Sequence, residues 1–216
     1  MDILEIMKAR HSVRQYSGKK IESEKREALS ALVKECNAQS GLNIQIIFDE
    51  PKCFDSMMAH YGKFSGVENY IALVGKKSAD LEEKAGYYGE KLVLKAQELG
   101  LNTCWVAMTH GKSTAEVGKG EKLACIIALG YGTTQGIAHK NKPATQLCNC
   151  TDAAPDWFSR GMEAVLLAPT ATNQQKFYFT LEGEKVTAKA GSGFYTKMDL
   201  GIVKYHFEAA SGHRVE

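Results

Sequence analysis

The chain reads as α+β, a mixed sheet with helices packed on it. Three observations predict this. Apolar residues recur at threes and fours in several segments, the period of an amphipathic helix. Other short runs are β-branched, aromatic or almost continuously apolar, the pattern of strands. The two kinds interleave without the steady βαβ repeat of a parallel sheet.

Ile3, Leu4, Ile6 and Met7 predict a short first helix that stops near Arg10. Ser17-Gly18-Lys19-Lys20 reads as a turn. Ser23 is the expected N-cap of a second helix, with Glu22 and Glu24 at its positive end. Ala28, Leu29, Leu32, Val33 and Cys36 form its apolar face, and the polar stretch 37–43 around Gly41 reads as a loop. Residues 44–48 and 70–74 are expected strands, the second closed by Gly75, with a poorly patterned segment at 53–64 between them. Ala79, Leu81, Ala85, Tyr88, Leu92, Ala96 and Leu99 mark the longest helix, with Gly100 as its natural C′ residue. Residues 122–129 read as a strand covered on both faces, ended by Gly130-Tyr131-Gly132. A long polar segment, 133–152, leads to Pro155 in the first turn of a helix bearing Trp157, Phe158, Gly161, Met162, Val165 and Leu166. Alternation at Phe177, Phe179, Leu181 and at Val186, Ala188, Ala190 about Glu182-Gly183-Glu184 predicts a hairpin. Leu200, Val203, Phe207 and Ala210 form a last helical stripe that ends at Gly212.

The 216 residues carry 27 Lys+Arg against 25 Asp+Glu, a net charge of +2 that offers no basic stripe for nucleic acid. The longest apolar runs, at 123–129 and 164–168, are too short to span a bilayer. Met1-Asp2-Ile3-Leu4-Glu5 lacks a signal-peptide layout, so the expected location is the cytoplasm and the six cysteines are expected as thiols. Cys36 and Cys125 fall in apolar patterns and read as small core residues. Cys148 and Cys150 are the only close pair; without a second pair no metal site is expected, and they read as two loop thiols.

Two groups of residues carry candidate chemistry. Arg10-His11-Ser12-Val13-Arg14 places two guanidiniums and a hydroxyl within five residues, a set that suits phosphate oxygens. His139-Lys140-Asn141-Lys142-Pro143 is a second basic cluster that could meet the same phosphate, although charge runs are commonly solvated faces. There is also an internal echo. Ser40, Asn43 and Gln45 before one strand are matched by Thr170, Asn173 and Gln174-Gln175 before another. Hydroxyls and carboxamides can pair with the edge of a planar heterocycle, but these residues also make ordinary loops, and composition alone favours that plainer reading. No Gly-Lys-Ser/Thr phosphate loop exists, and Gly191-Ser192-Gly193 is too short for a dinucleotide fingerprint.

Together these segments resemble the nitroreductase family of FMN-dependent oxidoreductases. Arg10-His11-Ser12-Val13-Arg14-Gln15-Tyr16 is similar to the family's Arg-x-Ser-x-Arg-x-aromatic opening, which binds the FMN phosphate and ribityl chain. The helix through Gly89-Glu90 leads into Gly100-Leu101-Asn102-Thr103-Cys104-Trp105, similar to the family's Gly-Leu-x-Thr-Cys-Trp turn near the flavin. Leu129-Gly130-Tyr131-Gly132 and the 139–143 tail resemble the family's Leu-Gly-Tyr strand end and second phosphate contact. The tail has Asn141 where many members have Arg, which leaves that contact to Lys140 and Lys142. The family's single Ala-Pro-Ser-x-x-Asn-x-Gln-Pro segment has two partial matches here. The one at 38–46 lacks both prolines, whereas Ala168-Pro169-Thr170-Ala171-Thr172-Asn173-Gln174 keeps Pro, Thr and Asn. That pattern resembles a subgroup with a degenerate duplicated half.

The resemblance implies a nitroreductase-like fold with a mainly antiparallel sheet flanked by helices. It implies a single domain over 1–216, with halves of about 1–150 and 151–216. It implies bound FMN, NAD(P)H as electron donor, ping-pong transfer to a small aromatic acceptor such as a nitroaromatic or quinone, and a homodimer. The cofactor-binding candidates are Arg10, His11, Ser12, Arg14, Asn43, Gln45, Pro169, Thr170, Asn173, Gln174, Lys140 and Lys142. No catalytic acid is nominated. Tyr61, Tyr87, Tyr88, Phe194 and Tyr195 are lid candidates; helical spacing argues that Tyr88 is packing, and the flanking glycines favour Phe194-Tyr195. Trp105 is expected as a core anchor, Cys104 as a buried inert thiol and His206 as a satisfied core histidine. A flavin-binding protein without reductase activity, or a flavin-fragmenting or dehalogenating enzyme on the same fold, would share every motif.

Overall fold

A computed structural model describes residues 2–150 and 153–216; the end of the 133–152 polar segment lies outside the described residues. The chain divides into two compact units, a sheet unit (Arg10–Leu81 and Lys91–Ile137) and a hairpin unit (the N-terminal helix, Glu82–Glu90 and Ala138–Glu216).

The sheet unit is built on four strands, β1 (Gln45–Ile47), β2 (Asn69–Lys76), β3 (Asn102–Val106) and β4 (Glu121–Gly130), in the order β1-β2-β4-β3. Every pairing between these strands is antiparallel. The register of β2 on β4 skips Ala124, a bulge between the Leu73 and Val74 pairs. All residues of β2 except Lys76 are buried, which explains its unbroken apolar run. Phe54, Phe64, Tyr70, Val106, Ile126 and Ala128 form the core of this unit. Full burial of such side chains stabilises by about 1.5–3 kcal/mol each.

Helix α2 (Ser23–Ser40) corrects two expectations. Glu22, not Ser23, occupies the N-cap, and the helix continues four residues past Cys36. The stretch expected as a loop is its polar last turn, closed by Gly41 in the left-handed region at φ 71°. Asn37 then ties the chain down, donating to the Ile44 carbonyl at 2.9 Å and accepting from the Ile44 amide at 2.7 Å. The Gly100–Trp105 segment, expected as a turn, is largely strand β3; its apolar side chains pair onto β4 instead of bending away. A short helix, α3 (Met57–Tyr61), fills the unpatterned segment, with Ser56 Oγ capping the Ala59 amide. Its five residues are too few to display a period.

The hairpin unit contains α1 (Ile3–Ala9), the Glu82–Glu90 stretch of α4 (Leu81–Glu98), α5 (Asp156–Leu166), the hairpin β5 (Phe177–Glu182) and β6 (Lys185–Ala190), and α6 (Thr196–Ser211). Helix α6 begins four residues before its apolar stripe. Phe158, Phe179 and Phe207 stack at its centre, with ring centroids 5.5 and 5.3 Å from Phe207. A Cβ on Gly161 would lie 2.5 Å from the Phe207 ring, so only glycine lets α5 approach α6 there. Gly86 and Gly201 do the same where α4 meets α6: their added Cβ atoms would fall 2.0 Å from the Met198 carbonyl oxygen and 1.9 Å from that of Glu83. No helix among the described residues is long and apolar enough to cross a membrane.

Candidate functional site

In the sheet unit the basic segment is stitched along the sheet edge. Ser12 forms a parallel bridge with Thr103 of β3, and the Val13 amide donates to the Thr103 carbonyl at 3.0 Å. Farther on, Ser65 N–H donates to Arg14 O and Tyr16 N–H to Ser65 O. Along it Arg10 and Val13 are buried, Ser12 is half-buried and Arg14 is exposed. Gly136, at φ 72°, packs on His11 and Ser12: an added Cβ would lie 2.8 Å from His11 Cβ. Asn102 fixes the loop beside them, accepting from Gly132 N–H at 2.9 Å and donating to Gln135 at 3.0 Å. The Tyr131 hydroxyl donates to Glu22 and accepts from Lys25, tying the strand end to α2.

Burial pushes the Cys104 thiol up, while Arg14, the Ser12 hydroxyl and Arg10 all pull it down. One buried sulfur thus senses all three polar side chains of the segment. Tyr16 closes the same neighbourhood. Its hydroxyl is buried with no hydrogen-bond partner among the described residues, and burial raises it well above an ordinary phenol. Two guanidiniums and a hydroxyl in one short segment suit a phosphate dianion, which needs charge-assisted donors and no metal.

In the hairpin unit Pro169 and Thr170 lead into a 3-10 turn, Ala171–Asn173, and thence to β5. The sequence echo stops at the residue pattern. Ser40 ends a helix and bonds back to Cys36 O at 2.6 Å, whereas Thr172, Asn173 and Gln175 are all left-handed. The side-chain amides here are engaged internally. Asn173 Nδ2 donates to Lys140 O at 2.8 Å, and Gln174 Nε2 donates to Phe194 O at 2.9 Å and Asp199 Oδ2 at 2.7 Å. Gln174 Oε1 has no partner among the described residues. Lys142 is a brace: its ammonium donates to the carbonyls of Gln174 and Gln175 at 2.9 and 3.0 Å. Lys140 offers its carbonyl to this loop and keeps an exposed side chain.

Asn43 and Gln45 belong to the sheet unit, at the β1 edge. Asn43 donates to Glu121 at 3.2 Å, and Gln45 exchanges hydrogen bonds with the backbone of Glu116. Phe194 is 57% exposed, and Tyr195 is the left-handed N-cap residue of α6. Trp105 is half-buried, Cys104 and His206 are buried, and Cys150 is the one half-exposed thiol among the cysteines.

A family model described as "Putative TM nitroreductase" matches residues 2–211. The chain belongs to the nitroreductase family. Its fold is similar to that of a "putative nitroreductase" of Thermotoga maritima, at 23% identity over 97% of this chain and 83% of that one, with a TM-score of 0.71. A "putative nitroreductase in complex with FMN" from Desulfovibrio desulfuricans gives 16% identity, 72% and 99% coverage and a TM-score of 0.52. A "Putative NADH dehydrogenase/NAD(P)H nitroreductase" from Bacteroides thetaiotaomicron gives 19%, 67% and 95%, and 0.52. Identities this low speak for the fold alone. A search of curated protein sequences finds no match.

Within this nitroreductase-family fold, two residues outside the cofactor-binding candidates organise the hairpin-unit loop: Gln175, named only in the internal echo, and Asp199, which no sequence motif contained. Gln175, 5% exposed, accepts from Lys142 N–H and donates to Lys140 O and Asn173 Oδ1. Asp199, 2% exposed, accepts from Ala171 N–H and from Gln174. An acid inside the apolar period of a helix was the available signal for Asp199.

Proposed function

We propose that this chain is an FMN-dependent oxidoreductase that passes electrons from NAD(P)H to a small aromatic acceptor such as a nitroaromatic or a quinone. The observation that carries the reading is the Arg10–Arg14 segment itself, two guanidiniums and a hydroxyl, anchored on β3 by the Ser12–Thr103 bridge and the Val13–Thr103 hydrogen bond. Two cations and a hydroxyl within five residues match a phosphate monoester far better than a neutral ligand. Family membership supports the reading, as does the fold likeness to a protein solved with FMN.

In this reading Arg10 and Arg14 pair with the cofactor phosphate, Ser12 donates to it, and His11 flanks it. Asn43, Gln45, Pro169, Thr170, Asn173 and Gln174 belong to the cofactor set, with Lys140 adding positive charge. Lys142 acts at one remove, holding the carbonyls of Gln174 and Gln175 in place. FMN, when bound, supplies the two-electron redox chemistry. The protein's own residues bind, orient and shield, and no side chain is assigned as a general acid. We read the 216 residues as one nitroreductase-like domain that works as a cytoplasmic homodimer.

The test is direct. Purified protein should be yellow, quench added FMN fluorescence and release FMN on denaturation. It should then oxidise NADH or NADPH when a nitroaromatic or quinone is present. Protein that binds no FMN overturns the reading; protein that binds FMN without turnover removes the reductase part of it.

A further inference from the structure

Six non-glycine residues among those described have positive φ, and four of them fall in two loops of the hairpin unit. Thr172, Asn173 and Gln175 (φ 49°, 56° and 46°) lie in the 170–175 loop, and Tyr195 (φ 56°) opens α6. Left-handed backbone is unfavourable for residues with a Cβ, most of all for β-branched Thr172, and persists only where surrounding structure over-determines it. Gln175 and Lys142 brace the 170–175 loop from one side, and one buried carboxylate ties it to the other loop. Asp199 Oδ1 accepts from Ala171 N–H at 2.9 Å, and Oδ2 accepts from Gln174 Nε2 at 2.7 Å. Gln174 passes the tie on, donating to Phe194 O at 2.9 Å. Asp199 itself sits on a rigid base, one residue from Met198, whose carbonyl touches Gly86 of α4. Gly193 completes the fit, since a Cβ there would lie 2.8 Å from Gln174 Oε1.

We propose that Asp199 is a positioning residue, whose carboxylate clamps the 170–175 loop to the Phe194-Tyr195 segment and so shapes the edge offered to a planar ring. The ligand end of this inference rests on the flavin reading above; the clamp itself rests on the bonds just described. Two strained loops tied together through one acid give a preformed edge, and the Phe194 carbonyl is held to it by Gln174. The clamp acts on the ring end of a flavin and not on its phosphate.

The experiment compares wild type with Asp199→Ala and Gln174→Ala, using amide hydrogen exchange and titration with FMN and with riboflavin, which lacks the phosphate. Asp199→Ala should raise exchange of the Ala171 amide at least tenfold. It should weaken FMN and riboflavin by the same factor, threefold or more, with the melting midpoint within a few degrees of wild type. Unchanged exchange at Ala171, or flavin affinities equal to wild type, overturns the clamp. A loss seen with FMN but not riboflavin overturns the ring-edge assignment. If Asp199→Ala does not fold, Gln174→Ala carries the test, with the same equal loss for both flavins expected and wild-type affinity overturning it. Wild-type protein that binds neither flavin removes the flavin reading, and the Ala171 exchange then decides the clamp by itself.

Discussion

His206 Nε2 lies 2.9 Å from Glu90 Oε1, and neither side chain is exposed to solvent. The opposite ring nitrogen, Nδ1, is 2.8 Å from the Ala164 carbonyl, which can only accept, so Nδ1 carries a hydrogen. Through these bonds α4, α5 and α6 share one fully buried polar junction. Glu90→Gln keeps a donor for Nε2 and should cost about 1 kcal/mol, whereas Glu90→Leu strands a buried imidazole nitrogen and should cost about 3 kcal/mol or more. Chemical denaturation of the two variants checks this; equal losses would mean that the hydrogen bond at Nε2 is immaterial.

Asp199 makes stability depend on pH. Burial lifts its carboxyl from the usual 3.8 to about 6, against the opposing pull of Ala171 N–H and the Gln174 amide. The folded chain therefore holds this proton more tightly than the unfolded chain does. That contribution is complete below about pH 4 and is lost as pH rises through about 6, an effect of about 2–3 kcal/mol at most. Urea midpoints measured across pH 4–7 should fall on this account in wild type and flatten in Asp199→Asn. An unchanged slope in the variant would assign the pH dependence elsewhere.

The two arginines call for different substitutions. Arg14 is exposed, so Arg14→Glu should leave the melting temperature near wild type. Arg10 is only 4% exposed, and Arg10→Glu would bury an anion and destabilise the fold. Loss of one charge-assisted phosphate bond is worth about 1.5–3 kcal/mol, roughly 10- to 100-fold in FMN affinity. Fluorescence titration of Arg14→Glu with FMN and riboflavin should show a drop for FMN alone. An equal drop for both would displace Arg14 from the phosphate.

Gly201→Ala should be among the most damaging single-methyl changes in the chain. Its Cβ would fall 1.9 Å from the Glu83 carbonyl oxygen and 2.7 Å from the Tyr87 amide, both backbone atoms that cannot step aside singly. Forcing α4 and α6 apart should cost about 3 kcal/mol or more. Gly212→Ala is the control. It meets nothing within 4 Å and pays only for its φ of 73°, about 1 kcal/mol. Similar losses in the two variants, measured by denaturation, would remove the packing argument.

Much of the fold is legible in local pattern. The apolar run at 122–129 and the alternation about Gly183 each identify a strand that the structure contains. The buried, satisfied state of His206 follows from its place near an apolar stripe. Local pattern fails where a distant partner decides. Residues 102–106 look like a turn after Gly100 and become β3 because β4 offers them a ladder. Residues 37–40 look like a loop and stay helical because Asn37 finds Ile44. The Lys142 ammonium braces two carbonyls of a loop 32 and 33 positions away, a contact no local pattern shows.

By itself the sequence determined the α+β class, the family resemblance and the Arg10-Ser12-Arg14 set, because period, turn chemistry and motif spacing are properties of neighbouring residues. Only the tertiary structure decided that the Arg10–Arg14 segment bridges to Thr103, that the amides of Asn173 and Gln174 bond to Lys140, Phe194 and Asp199, and that Asp199 ties two loops together. A carboxylate 28 positions from the amide it accepts leaves no local trace. Its hydrogen bonds exist because chain closure brings the groups together in a place that water does not reach.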